Sequence, residues 1–210
     1  QIYQGMDIGT GKDLAEYGSV PYHLIDNHQI GDVYSVAHFQ KEAIDAIHDV
    51  WERGKQPILC GGTGLYMEAV LANYTFSHLP DFLEAPMELS LSYRVFGLNP
   101  SLETRRDRIS KRFYARLQDG MLAEVTGLLA SGAKEEDLLR LGLEYKWMVE
   151  FLRGDLSRER FESGLEVAIH QFAKRQMTYF RKMERSGIKI NWIPDSLDFQ
   201  AKRDFVLNFH

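Results

Sequence analysis

The chain has 210 residues, a formal net charge of −5 and a single cysteine, with 44% apolar, 12% aromatic and 26% charged residues. That composition excludes a disordered, collagen-like or low-complexity chain, and the lone Cys60 excludes an intramolecular disulfide or a cysteine-built zinc cluster, which fits a reducing cytoplasmic setting. No apolar run approaches the length of a membrane span, and no charged-then-apolar leader is expected.

The chain opens on Gln1-Ile2-Tyr3 in what reads as an already structured segment, so a segment preceding it is expected to be missing. The first glycine cluster is Gly5-Met6-Asp7-Ile8-Gly9-Thr10-Gly11-Lys12. It superficially resembles a phosphate loop, but that motif needs Gly where Met6 stands and Ser or Thr where Asp13 stands. Its glycines permit either a plain turn or a close backbone approach. His23-Leu24-Ile25-Asp26 reads as a short strand.

Ser35 caps a helix through 36–53, with Val36, Phe39, Ala43, Ile44, Ile47 and Trp51 on one stripe, and Gly54 ends it. Pro57-Ile58-Leu59-Cys60 is too short for a helix and suits a buried strand. Gly61-Gly62-Thr63-Gly64 then opens a helix over 65–71. Helix, strand, glycine turn and helix make a piece of an α/β unit, with the turn at the sheet edge where such proteins bind ligands. The free N–H groups of the turn and the Thr63 hydroxyl could meet an anion or a polar base, or Thr63 could simply cap the helix.

Between Tyr74 and Leu98 the sequence has no helical period and no hairpin signal until a strand-like 91–98, and a loop that long is anomalous in a compact domain. Beyond residue 100 the pattern is mostly helical: 101–118, 120–131, 143–153 and a long helix over 157–185 capped by Ser157. A strand over 188–193 and a last helix over 197–209 follow.

Charge is uneven. Residues 105–116 and 174–189 each carry six Lys/Arg and one acidic residue, so the remainder of the chain is −15. Such windows either meet phosphates or are solvated helix faces. Arg105, Arg108, Arg112 and Arg116 share a face able to clamp a diphosphate or track a nucleic-acid backbone. Lys174, Arg175, Gln176 and Arg181 interleave with Met177, Tyr179 and Phe180. The seven histidines lack metal-ligand spacing.

Seven collinear stretches together resemble the tRNA dimethylallyltransferase, or tRNA isopentenyltransferase, family: QIYQGMDIGTGK (1–12), PYHLID (21–26), YSVAHFQKEA (34–43), PILCGGTGLYMEAVL (57–71), RISKRFYARLQDGMLAEV (108–125), GLEYK (142–146) and QFAKRQMTYFR (171–181). Each is common alone; their order makes the resemblance strong. It implies an α/β, P-loop NTPase-like, nucleotide-binding core with a parallel sheet, and a mainly helical C-terminal part. The division expected is 1–80 for a partial core, 81–98 for a remnant around a lost helical insertion, and 99–210 for the helical part with a return strand. The family's phosphate loop and Asp-Ser pair are expected to lie before Gln1, and the chain is expected to break between Pro80 and Ser90.

The implied reaction transfers a dimethylallyl group from dimethylallyl diphosphate to the exocyclic amine of the adenosine next to the 3′ side of the tRNA anticodon, a base that must be flipped to be reached. The resemblance makes Thr63 and Arg112 catalytic, with Thr63 near the amine and Arg112 at the diphosphate. It assigns Gln1, Asp7, Gly61, Gly62 and Arg108 to substrate, with Gln1 in the loop that reads the base. Gly142, Leu143, Glu144, Tyr145 and Lys146, and Lys174, Arg175, Gln176, Met177, Thr178, Tyr179, Phe180 and Arg181, match stretches that meet the anticodon stem-loop. Mg²⁺ is implied, with ligands mostly outside this sequence, and the enzyme is expected to be a cytoplasmic monomer. Two rival readings are an adenylate isopentenyltransferase acting on a free nucleotide, which the basic helix at 174–181 disfavours, and a non-catalytic RNA-binding module.

Overall fold

The computed structural model describes residues 1–77 and 92–209. The ordered elements are α1 (Val36–Glu52), α2 (Gly64–Leu71), β1 (Val95–Leu98), α3 (Leu102–Gln118), α4 (Met121–Ala130), α5 (Glu135–Leu141), α6 (Leu143–Leu152), α7 (Arg158–Arg185), β2 (Ile190–Ile193) and α8 (Phe199–Leu207). β1 and β2 pair in parallel, Val95 opposite Ile190 through Leu98 opposite Ile193. The fold is thus α/β, mainly helical, with a small parallel sheet. No helix among the described residues is long and apolar enough to cross a membrane. The break expected between Pro80 and Ser90 lies outside the described residues.

The described residues group into two units, each drawing on both halves of the sequence: 1–34 with 108–172, and 35–107 with 173–210. In the first, Met121 and Val125 of α4, Leu138 of α5, Tyr145, Met148 and Val149 of α6 and Phe161 and Leu165 of α7 close one core with Phe113, Tyr3 and Met6. Ser157 caps α7 as expected, accepting from the Arg160 N–H at 3.2 Å. In the second unit the Ser35 cap is reciprocal: its hydroxyl accepts from the His38 N–H while His38 Nδ1 accepts from the Ser35 N–H. The buried amide of Gln40 on α1 donates to the carbonyls of Ala69 (2.8 Å) and Tyr74 (3.0 Å), tying α1 to the end of α2.

Two expected strands do not form. Residues 57–60 have strand composition, but Ile58 is 86% exposed and Cys60 is exposed, and no described strand lies alongside them. Apolar β-type residues become a strand only when a neighbour supplies the ladder. Residues 23–26 bend instead, with Leu24 (φ 60°) and Asp26 (φ 57°) in the left-handed region, and only a parallel bridge between Tyr3 and His28 marks strand-like pairing there. Helix α5 was not visible as a separate element in the sequence because its seven residues are too few to establish a period.

Candidate functional site

The site residues fall into two clusters, one in each unit. In the second unit the turn 61–64 leads into α2. Thr63 occupies the cap position of α2 but its side chain makes no capping hydrogen bond, and its hydroxyl has no partner among the described residues. The plain-cap alternative for Thr63 is therefore not what the side chain does. α7 covers the turn. The Gln176 amide lies where a Cβ on Gly62 would meet its Nε2 at 2.6 Å, and the Tyr179 ring takes the space a side chain on Gly64 would need. Gly61 faces open space.

Beneath the turn, Glu68 is 3% exposed and accepts from the Tyr179 hydroxyl at 2.5 Å and from Lys182 Nζ at 3.0 Å. Burial alone would raise its pKa, but hydrogen bonds from Tyr179, Tyr74 and Lys182 outweigh it and hold the carboxyl below its ordinary value. Tyr179 is pushed up to about 12 by burial and by Glu68. Glu68 therefore remains ionised at neutral pH, and Lys182 is committed to it rather than to the open face of α7. Lys174, Arg175, Thr178 and Arg181 lie exposed on α7, whereas Gln176, Met177, Tyr179 and Phe180 are half-buried.

In the first unit, the loop carrying Asp7 is folded back on itself. Lys12, 2% exposed, donates from Nζ to the Tyr3 carbonyl and to Asp7 Oδ1, both at 2.7 Å, and to Asp26. The amides of Asp7, Ile8 and Gly9 are occupied by the Glu124 side chain of α4. A loop whose N–H groups already hold a carboxylate does not cradle a phosphate, which agrees with its failure to match the phosphate-loop pattern. The Gln1 amide lies against the same loop, donating to the Gly11 carbonyl at 3.0 Å.

Gly11 admits the arginines of α3: a Cβ there would collide with the guanidinium groups of Arg116 and Arg112. Asp13 lies 3.1 Å from Arg112 Nη2 and 3.6 Å from Arg116 Nη2. Arg116 Nη2 is buried without a hydrogen-bond partner among the described residues, and burial followed by the like charge of Arg112 lowers its pKa. Asp13 pairs with both guanidinium groups, and the Glu144 carboxyl also interacts with both, so two arginines and two carboxyls make one cluster in which an incoming anion would compete with the carboxyls. Arg108, one turn earlier on α3, is exposed.

The stretch 142–146 divides. Lys146 is exposed, Gly142, Leu143 and Glu144 are half-buried, and burial raises the Glu144 pKa. Tyr145 is 1% exposed inside the first core, with its hydroxyl on Glu124. Within this stretch it is Lys146, not the Tyr145 ring, that faces solvent. Sequence reasoning missed Glu68 and Glu124, since a lone Glu within a helix carries no signal of burial. Among the described residues no three His, Cys, Asp or Glu side chains converge on a common point, and Asp7 and Asp26 are both paired with Lys12. The residues present do not by themselves fit Mg²⁺.

A family model described as IPP transferase matches residues 1–90 and 79–183. The chain is 39% identical over 257 residues to tRNA dimethylallyltransferase 1 of Parabacteroides distasonis, covering 96% of this chain and 84% of the relative. It is 39% identical over 268 residues to tRNA dimethylallyltransferase 2 of Porphyromonas gingivalis, covering 100% and 88%. Among solved structures it is similar to the tRNA delta(2)-isopentenylpyrophosphate transferase of Staphylococcus epidermidis (TM-score 0.82, 26% identity, 99% of this chain and 86% of that one). It is also similar to the full-length tRNA isopentenylpyrophosphate transferase of Bacillus halodurans (TM-score 0.84, 26% identity, 100% and 84%). With the family model matched across residues 1–183 and relatives 39% identical over 96% and 100% of the sequence, this chain belongs to the IPP transferase family.

Proposed function

We propose that the protein transfers a dimethylallyl group from dimethylallyl diphosphate to the exocyclic amine of the adenosine adjacent to the 3′ side of a tRNA anticodon. The observation that carries this reading is the Thr63 hydroxyl, left without a capping partner on the turn 61–64 in a chain of this family. In the step itself the amine nitrogen bonds to C1 of the dimethylallyl group, the C1–O bond breaks, diphosphate leaves with the electron pair, and the amine's proton passes to a general base, a role the family resemblance gives to the aspartate of the Asp-Ser pair and not to a residue of this sequence. Thr63 hydrogen-bonds the reacting amine. Arg112 takes the charge that develops on the departing diphosphate, the place where electrostatic stabilisation acts most strongly.

The anticodon stem-loop would be held by Lys174, Arg175 and Arg181 on the exposed face of α7 and by Lys146 of α6. A cytoplasmic setting follows from that substrate. The test is incubation of the protein with radiolabelled dimethylallyl diphosphate and an anticodon stem-loop, then nucleoside analysis of the digest. Dimethylallyl-adenosine formed only when that adenosine is present supports the reading. Transfer to free adenylate would favour the nucleotide-using relative, and RNA binding with no transfer would leave a binding module.

A further inference from the structure

Three consecutive backbone N–H groups converge on one side chain: Glu124 Oε2 accepts from Asp7 (2.8 Å) and Ile8 (2.6 Å), and Oε1 accepts from Gly9 (3.1 Å). Oε1 also accepts from the Tyr145 hydroxyl at 2.5 Å. Consecutive amides turned to one point form an anion-binding concavity, and here the anion is supplied from α4. The ring of Tyr145 closes over the loop because residue 9 is glycine: a Cβ there would sit 2.7 Å from the Tyr145 hydroxyl oxygen and Cζ. Burial and the Glu124 carboxylate both raise the Tyr145 pKa, so this hydroxyl stays a neutral donor wherever the enzyme works.

The loop fixed in this way ends in two carbonyls, those of Thr10 and Gly11, which accept from Gln1 Nε2 at 3.4 and 3.0 Å. Both acceptors demand the NH₂ end of the amide, so the amide cannot flip. Its remaining group is the oxygen Oε1, an acceptor, which complements the N–H donor of an exocyclic amine. We propose that Glu124, held by Tyr145, is a positioning residue that fixes the amide orientation of Gln1 through the loop 7–11. The proposal rests on the reading of Gln1 as the residue that contacts the base.

The experiment uses the whole chain and compares wild type with Glu124→Gln, Tyr145→Phe and Gln1→Ala, and with the double variant Gln1→Ala/Glu124→Gln, in prenyl transfer to the anticodon stem-loop. Glu124→Gln replaces one acceptor oxygen by a donor facing the N–H groups. It should lower kcat by about tenfold to a hundredfold, the scale of a small misplacement at a reacting centre, while KM for dimethylallyl diphosphate and Kd for the stem-loop remain within about twofold. Tyr145→Phe, which removes one of four hydrogen bonds, should give a smaller loss of the same kind and keeps the test open if Glu124→Gln does not fold. In the Gln1→Ala background the Glu124 substitution should cost almost nothing further. Unchanged kcat in either folded variant, or an equally large loss without the Gln1 amide, would overturn the proposal alone. A wild type that transfers nothing to the stem-loop would overturn the functional reading and this inference with it.

Discussion

The ring of Tyr179 lies in the space where any side chain at Gly64 would have to go, which joins α7 to the first turn of α2 at the residue after Thr63. Gly64→Ala would gain roughly 0.5–1 kcal/mol from helix preference, but its methyl would meet ring carbon rather than a flexible chain end. Overpacking of that kind costs about 1–3 kcal/mol. The net expectation is a lower denaturation midpoint and a displaced Tyr179, read from a chemical unfolding curve. A midpoint equal to or above that of wild type would mean that α2 and α7 separate without cost.

Thr63→Ala separates two properties that a capping threonine would join. Loss of a capping hydroxyl usually costs about 1 kcal/mol; because Thr63 makes no such bond, stability should stay within about 0.5 kcal/mol. Transfer should nevertheless fall by something on the order of a hundredfold in kcat, with stem-loop affinity kept, as for a group that acts on the transition state. A stability loss with unchanged kcat would return Thr63 to the role of a cap.

Asp13 and the diphosphate would compete for the same guanidinium groups. Arg112→Ala should raise KM for dimethylallyl diphosphate, while Asp13→Asn, tolerated at φ 48° because asparagine adopts that conformation readily, should lower it. Initial-rate measurements at saturating stem-loop decide. If both variants raise KM, Asp13 serves to hold Arg112 in place rather than to occupy its anion site.

Lys174 and Arg181 are the exposed cations of α7 whose neutralisation tests the RNA face; Lys182 is unsuitable, since it serves Glu68. Changing both to Gln should reduce the slope of log affinity against log salt by roughly 0.7 to 0.9 for each phosphate no longer neutralised, and weaken different tRNAs about equally. A salt titration with unchanged slope would assign these charges to a solvated surface.

Alkaline pH should loosen the second unit. The hydrogen bond to Glu68 first, and burial second, push Tyr74 up to about 12, and Tyr179 is raised to about the same value. In the unfolded chain both titrate near 10.0. Between these values the native state keeps protons that the unfolded state loses, so their stabilisation is complete below pH 10 and is lost as pH rises towards 12. Tyr74→Phe/Tyr179→Phe should flatten that part of the stability curve. A slope identical to wild type would show that the two hydroxyls are not linked to folding.

Helix periods were legible over α1, α3, α6 and α7 because each is long enough to repeat its apolar face several times, and Ser35 and Ser157 marked starts that the structure keeps. Seven short collinear motifs identified the family, and the stretch with no period is where the two family-model matches overlap, at 79–90. The chain alone could not say that residues 57–60 lack a strand beside them, because pairing depends on a distant partner. Nor could it say that the amides of the first glycine loop are filled by Glu124, more than a hundred residues away, or that Tyr145, in a stretch expected to meet RNA, lies inside a core. Local sequence sets periodicity, caps and turn chemistry; which charge faces which is decided only when separate segments meet, since a carboxylate in a helix reads the same whether it will face water, a lysine or three backbone N–H groups.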